Sequence, residues 1–478
     1  GLSLEILDNS QAHYDYSGAD SWMLALFYDA SLDGTAVERA SLPTARWHGQ
    51  GSNDIAILRS GWGPDDTFLW VSCGDYFGAH QHYEAGSFQL FAHGLLTGST
   101  GYYDAFDSDH WQNYYSQHSV HANTLSIYQP GEFFPTLQSL SDPGANVNDG
   151  GQRVLRRDEN GTAYPNPDLA AYLSHKDGPP YNETGDLVTF ESAECHDYVA
   201  CDVTAAYNST SVATNGNTAK VSEVSRQFVF LRPELLVIFD RVEATDAAYE
   251  KRFLLHTLGD PQVDGNVFVT DNGGGRLIGQ TLLPAQADIE VIANFAVEGT
   301  PHPPSNTGNE SGGTRLEISP AQEGARDYFL HVLHATTPAT TDPPTASLLE
   351  DDATATVTIE LDGTTYAVTF AKAGDLGGHL TVTTGGSIDC DQDLGEHASS
   401  SGAGGGGAGG AGTGGSSSGG GGVTPGSTSA DDDSGCGCRQ GGARPGGGLP
   451  WLGLLGPLAV ALRRRRATSH RAGWLSAG

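Results

Sequence analysis

The chain has 478 residues, of which 65 are Gly, about twice the average usage of roughly 7%. Asp and Glu number 58 against 24 Lys and Arg, a formal charge of −34, which repels phosphate backbones and argues against nucleic acid as a partner. Charged residues are only 17% and apolar ones 38%, so the chain is neither a disordered polyanion nor short of core, and no apolar run is long enough for a polytopic membrane protein.

Position 1 is Gly and the single Met is Met23, so the expectation is a processed product or a fragment. Residues 21–28 (Ser-Trp-Met-Leu-Ala-Leu-Phe-Tyr) are densely apolar without β-type alternation and read as helix, ended by Asp33-Gly34. From about Trp47 to Thr384 the reading changes to strands. Asp54-Ile-Ala-Ile-Leu-Arg59, Thr67-Phe-Leu-Trp-Val-Ser72, residues 224–237, 353–361 and 365–370 are β-branched and aromatic, bounded by Gly, Asp, Asn and Pro. Asp264-Gly265 and Asp362-Gly363 read as hairpin turns. Many strands and few helices predict a mainly β fold, a large antiparallel sandwich.

Cys195 and Cys201 lie close enough to close a small loop if their strands turn back, whereas Cys73 and Cys390 look solitary. Six cysteines in a chain of this length do not make a disulfide scaffold.

Composition then shifts. From about Ala398 to Gly448 the chain is Gly, Ser and Ala with almost nothing to bury, which predicts a disordered linker. It holds Cys436-Gly-Cys438, a weak zinc signal because no further ligands follow. Residues 449–462 are apolar but fall short of the roughly 20 that span a hydrocarbon core, and Arg463-Arg-Arg-Arg466 follows at once. This order of parts resembles the C-terminal sorting segment of myxobacterial surface proteins, carried here by Gly435-Cys-Gly-Cys-Arg439. The resemblance implies export, a cell-surface sorting machinery as partner, and processing near Cys436 or Cys438. It places the protein at the surface or outer envelope of a Gram-negative bacterium.

The chemistry-bearing stretch is Gly74-Asp-Tyr-Phe-Gly-Ala-His80-Gln-His82-Tyr-Glu84-Ala-Gly86-Ser-Phe88. On a strand, residues i and i+2 share a face, so His80 and His82 are expected to project together, with Glu84 continuing the row. Two imidazoles on one face suit metal ligation, or a ligand beside a proton-transfer group.

This stretch, with Leu58-Arg-Ser-Gly-Trp62, Asn123-Thr-Leu-Ser-Ile-Tyr-Gln-Pro-Gly-Glu132, Arg226-Gln-Phe-Val-Phe-Leu-Arg-Pro233, Val237-Ile-Phe-Asp-Arg241, Leu254-Leu-His256, Thr281-Leu-Leu-Pro284 and Asp327-Tyr-Phe-Leu-His-Val-Leu333, resembles the C-terminal sandwich of heparinase II/III-like polysaccharide lyases. The resemblance covers roughly residues 20–380. It implies β-elimination on uronic-acid polysaccharides, with an acidic polysaccharide as partner. It also implies His80 at the catalytic centre, and His82 and His121 as ligands of a structural zinc.

Two departures bear on the metal. Ser99 stands where the family carries an Asp, and Ala122 rather than His precedes Asn123, leaving His121 one residue back. A one-residue shift on a strand reverses the face unless a bulge restores it; Asp104 or Glu84 could substitute as the carboxylate. The family's helical toroid, which supplies the acid/base Tyr, is absent apart from a helical remnant. Tyr76, Tyr102, Tyr103 and His118 read as sandwich packing. Arg59, Arg226, Arg232 and Arg241 are the few cations in the matched segments, with Arg59 and Arg241 expected as structural ion-pair partners.

The resulting division is a toroid remnant at 1–45, a sandwich at 46–385, a linker at 386–448 and a sorting segment at 449–478. The reading is the C-terminal portion of an exported polysaccharide lyase. The alternative is a non-catalytic surface sandwich that binds carbohydrate or serves as structure.

Overall fold

The computed structural model describes residues 38–76, 81–105, 108–116, 118–132, 147–153, 183–208, 218–305 and 312–395. The chain forms two units, Gly1–Gly406 and Gly407–Gly478, and all described residues belong to the first. The predicted helix at 21–28, His80, Cys436, Cys438 and the whole sorting segment lie outside the described residues.

Among the described residues the fold is mainly β, in three antiparallel sheets and a small hairpin. A nine-stranded sheet runs from Ala45–His48 through Ile55–Arg59, Phe68–Ser72, Ser87–Phe91, Leu95–Thr97 and Glu250–Thr257 to Thr314–Pro320 and Ala287–Ile292. Leu125–Tyr128 also pairs with Glu250–Thr257. An eight-stranded sheet has Val221–Leu231, Leu235–Ala244 and Arg326–Thr336 near its centre. A five-stranded sheet runs in simple up-and-down order from Thr345–Glu350 to Ser387–Leu394.

The eight-stranded sheet is the middle layer, and its sequence explains why. Along Val221–Leu231, Phe228 and Phe230 join the core shared with the nine-stranded sheet, while Val229 and Leu231 join the core shared with the five-stranded one. Leu236 and Ile238 alternate in the same way with Val237 and Phe239. A strand covered on both faces reads as an unbroken apolar run, as Phe228-Val-Phe-Leu231 and Leu235-Leu-Val-Ile-Phe239 do. The outer strand Thr354–Leu361 has only one face to bury and alternates Thr with Ala, Val and Ile. The predicted sandwich is therefore a stack of three sheets with two cores.

The expected loop between Cys195 and Cys201 does not form. Cys73 bonds Cys201 and Cys195 bonds Cys390, with Cα atoms 5.7 and 6.4 Å apart. Cys195 precedes the strand Asp197–Asp202 and Cys201 lies near its end, too far apart along extended chain to meet. The first bridge joins the nine-stranded layer to the middle sheet, and the second joins the middle sheet to the five-stranded one.

Asp362-Gly363 makes the predicted two-residue hairpin, with φ of 51° and 81°, the conformation a type I′ turn needs. In the other hairpin Asp264 pairs with Val267, so the turn residues are Gly265 and Asn266, one position later than predicted. The last sheet also continues past 385 through the strand Ser387–Leu394, which moves the end of the folded body beyond the sequence-based boundary. Among the described residues no helix is long and apolar enough to cross a membrane.

Candidate functional site

The site sits where one strand gives way to another along Glu250–Thr257. Thr97, the last residue of its strand, faces Thr257, and Leu125 faces Phe253. Between them the chain leaves the sheet at Gly98 and returns at Thr124, carrying Ser99, Tyr115 and His121 on the way. Asn123 fills the gap. Its Nδ2 donates to Phe88 O at 2.7 Å and Thr97 Oγ1 at 2.8 Å, and its Oδ1 accepts from His256 N at 2.7 Å.

His82 does not lie on a strand. The strand it precedes starts at Ser87, and residues 81–86 form a loop and turn, closed by Ser87 N donating to Glu84 O. Gly86 has φ +81°, a left-handed turn that stops the strand from extending backwards. The Ala85 N–H and carbonyl oxygen bond the side-chain amide of Gln152 instead of a neighbouring strand. The shared strand face expected for His80 and His82 is thus not what places His82.

His82 and His121 nevertheless come together, with ring centroids 4.6 Å apart. Tyr115, at the end of the helical turn Trp111–Tyr115, packs its ring 4.7 Å from His82 and 5.5 Å from His121. Each imidazole turns Nδ1 toward a carbonyl oxygen, His82 to Tyr115 O at 3.0 Å and His121 to His118 O at 2.9 Å. A carbonyl accepts only from an N–H, so both rings carry hydrogen on Nδ1 and a lone pair on Nε2. Burial holds both imidazoles below their usual pKa, His121 well below it with His82 as the second cause. His121 is fully buried, and its Nε2 meets no hydrogen-bond partner among the described residues.

Beside them Ser99 Oγ donates to Glu84 Oε2 at 3.1 Å. Burial pushes the Glu84 carboxyl up to about 7, with the Ser99 hydrogen bond working against it. Burial, then the nearby Glu84, raises the Tyr115 phenol. A site with neutral imidazoles and a firmly protonated phenol holds a base and an acid at neutral pH.

The imidazole pair meets part of what a zinc requires: two nitrogen donors whose tautomers are fixed by carbonyl oxygens. A tetrahedral site takes four ligands. Among the described residues no group of three or more His, Cys, Asp or Glu side chains is arranged to hold a metal. The Asp104 carboxylate is committed to Ser305, at 2.8 Å from its N and 2.6 Å from its Oγ. The described residues therefore supply two ligands and not a complete set.

The cations named from sequence are occupied elsewhere. Arg226 pairs with Asp240 at 2.6 Å, Arg232 with Asp197 at 2.7 Å and Arg241 with Glu223 at 2.6 Å. Among the described residues, Arg59 lies 4.5 Å over the rings of both Trp62 and Phe68, a cation–π contact where an ion pair was expected. Tyr76 packs on Tyr83, and the His118 imidazole lies 3.4 Å from Asp149. Sequence reading missed Tyr115. It sits in a five-residue helical turn with no periodic signal, and only its contact with two loops from elsewhere brings it to the histidines.

No protein-family model matches the chain, and no curated protein does. Among solved structures it is similar to heparan sulfate lyase HepC from Pedobacter heparinus, at 12% identity and a TM-score of 0.48, over 78% of this chain and 48% of that one. It is also similar to a heparinase III gene product (12% identity, TM-score 0.49, 77% and 48%). A third is the crystal structure of heparinase III (13%, 0.43, 68% and 42%). The chain spans about half the length of these structures.

Proposed function

We propose that the chain is the β-sheet portion of an exported polysaccharide lyase that cleaves uronic-acid polysaccharides by β-elimination. The observation that carries this reading is the pairing of His82 and His121, both with Nε2 lone pairs, against the protonated Tyr115. β-Elimination removes the proton at C5 of the uronate and returns one to the departing glycosidic oxygen. A neutral imidazole performs the first transfer and a phenol the second, each worth about 10²–10⁴ in rate. His80, two residues before His82, is the base implied by the sequence resemblance. Glu84 stands next to the phenol and orients Ser99.

The test is incubation of the full-length gene product, and of residues 1–478 alone, with alginate, heparan, hyaluronan and chondroitin, following unsaturated product by ultraviolet absorbance. Loss of turnover in His80→Ala supports the reading. Absence of product from the full-length protein on all four substrates, or near-normal turnover in His80→Ala, overturns it.

A structural zinc at His82 and His121 would take up both Nε2 lone pairs and leave His80 as the base, with its remaining ligands coming from outside the described residues. Metal analysis of purified protein expects about one zinc per chain, lost in His82→Ala and His121→Ala; a metal-free and fully stable protein excludes it. Export is supported by the two disulfides, which persist in oxidising compartments. For the tail, changing both Cys436 and Cys438 to Ala should leave the protein unprocessed in the inner membrane.

The second reading is a non-catalytic surface protein that binds carbohydrate. Ser99 in the carboxylate position and the occupied Arg226, Arg232 and Arg241 favour it. Binding without product in the same assays would select it.

A further inference from the structure

Tyr115 reaches the histidines from an uncommon kind of turn. Ser116 N donates to Trp111 O at 2.9 Å, five residues back, so Trp111–Tyr115 is wound as a π-turn. Single π-turns are rare and are found frequently at functional sites. Here the winding sets His110, the residue before the turn, against two rings at once. Tyr114 lies 5.2 Å away with planes at 23°, and Tyr115 lies 5.9 Å away with planes at 16°. Offset stacks at such separations are among the favoured arrangements of aromatic pairs.

The His110 ring leaves that stack only by breaking two hydrogen bonds. Its Nδ1 donates to His302 O at 2.6 Å, and its Nε2 accepts from Tyr102 N at 3.1 Å. The residue is 1% exposed, so water has no ready access to replace either bond. The partners are themselves anchored. His302 Nδ1 lies 2.7 Å from Asp109 Oδ2, and Asp109 Oδ1 accepts from Asn113 Nδ2 at 2.8 Å. Phe295 packs edge to face on His110 at 5.1 Å and on Tyr114 at 5.2 Å. Its φ of +54° is one that bulky residues rarely adopt, and such a conformation persists only where the surroundings over-determine it. The small hairpin that follows pairs Ala296–Val297 with Thr300–Pro301, and Arg252 Nη1 holds its tip by donating to Glu298 Oε1 at 2.5 Å. Residues 295–302 thus form a strap on the excursion 98–124, and His110 is where it grips.

We propose that His110 is a positioning residue: gripped by the strap, its ring holds Tyr115 against His82 and His121. A single helical turn is not stable by itself, so the direction of the Tyr115 side chain comes from what it packs on. It packs on the imidazole pair, on Trp111 and on His110. Trp111 belongs to the turn itself, whereas His110 is bonded to a segment 192 residues further along the chain. His110 therefore ties the phenol to the body of the protein. The proposal deepens the lyase reading and rests on it for the role of Tyr115 as the acid. A displacement of about 1 Å at such a group costs on the order of 10²-fold in rate.

The experiment compares wild type, His110→Ala and His110→Phe of the full-length protein, with Tyr115→Leu as the reference. Turnover on alginate, heparan, hyaluronan and chondroitin is measured alongside NMR of isotope-labelled histidine side chains, at one pH and below the onset of thermal unfolding. The His82 and His121 signals, identified by their loss in His82→Ala and His121→Ala, feel the ring current of Tyr115 and shift in Tyr115→Leu. His110→Ala is expected to shift the same signals in the same direction, and to lower kcat about 10²-fold with KM little changed. His110→Phe keeps a stacked ring without the two hydrogen bonds and is expected to fall between. A loss of stability alone lowers the folded fraction and leaves the signals of the folded protein in place. Where His110→Ala does not fold, His110→Phe decides by the same criteria. Shifted signals without any change in turnover, or in a protein forming no unsaturated product, leave the proposal standing while Tyr115 loses its place in the lyase reading. Unshifted signals in the folded variant overturn the proposal.

Discussion

The guanidinium of Arg226 donates from one nitrogen, Nη1, both to Asn123 O at 2.7 Å and to Gly86 O at 2.8 Å. Its other edge is held by Asp240, through Nε at 2.6 Å and Nη2 at 3.0 Å. One middle-sheet side chain thus fixes the two segments that carry His82 and His121. Arg226→Ala leaves Asp240 buried without its partner and frees both segments. The expected cost is about 3–5 kcal/mol, read by denaturant unfolding. Arg226→Lys, which cannot reproduce the fork, should also lose most of the proposed lyase activity.

Gly101→Ala should act more locally. The left-handed φ and the contact with Tyr115 together predict a loss of about 1–3 kcal/mol. The proposed lyase activity should fall by more than the stability loss explains, because Tyr115 is pushed from the histidines. Wild-type kinetics in Gly101→Ala would contradict the role given to Tyr115.

Acid should destabilise the fold above the pH range where ordinary exposed carboxylates titrate. Burial, with Arg315 or Arg226 nearby, brings His256 and His331 down to about 3. Their folded pKa lies below the unfolded value of about 6.5, so the unfolded chain takes up protons first. Stability is complete above 6.5 and falls as pH drops toward 3, by at most about 1.4 kcal/mol per pH unit for each histidine. Glu84, raised to about 7, works in the opposite direction and offsets part of one of them. Urea midpoints measured between pH 7 and 4 should decline, and His331→Phe should flatten the decline.

Peptide mapping without reduction should recover Cys73 joined to Cys201 and Cys195 joined to Cys390. The bridges span 128 and 195 residues of chain. Changing Cys195 and Cys390 to Ser should cost about 2–4 kcal/mol and loosen the outer sheet first. A peptide joining Cys195 to Cys201 would contradict the fold at that edge.

The strands were legible where one local rule governs them. Thr354–Leu361 and Thr364–Ala371 alternate, and Asp362-Gly363 announces their turn. Residues 224–237 read as one β-rich run because both faces of the two strands there are buried, and only the tight Arg232-Pro233-Glu234 connection divides them. The three-layer stack was not legible, since alternation reveals that two faces are apolar and not which sheet covers each. The cysteine pairing is not legible for a related reason: both bridges cross between layers, and closeness along the sequence says nothing about that. The H-x-H pair points to His82 and the family resemblance to His121, but strand alternation does not place His82, because Gly86 ends the strand before it is reached. Tyr115 carried no sequence signal at all.

The way Leu125–Tyr128 takes over beside Glu250–Thr257 from Leu95–Thr97 has a consequence for how such a protein diversifies. The chain departs and re-enters at nearly the same point of the sheet, with Asn123 sealing the seam. Closing such a detour costs only about 0.6 kcal/mol more for each doubling of its length. Length can therefore change at the exposed positions of this segment, Tyr103 and Ala105, while its buried stretch around Trp111–Tyr114 and His118–Asn123 stays packed. The segment bears Tyr115 and His121, so the surroundings of the imidazole pair can change there without a new scaffold.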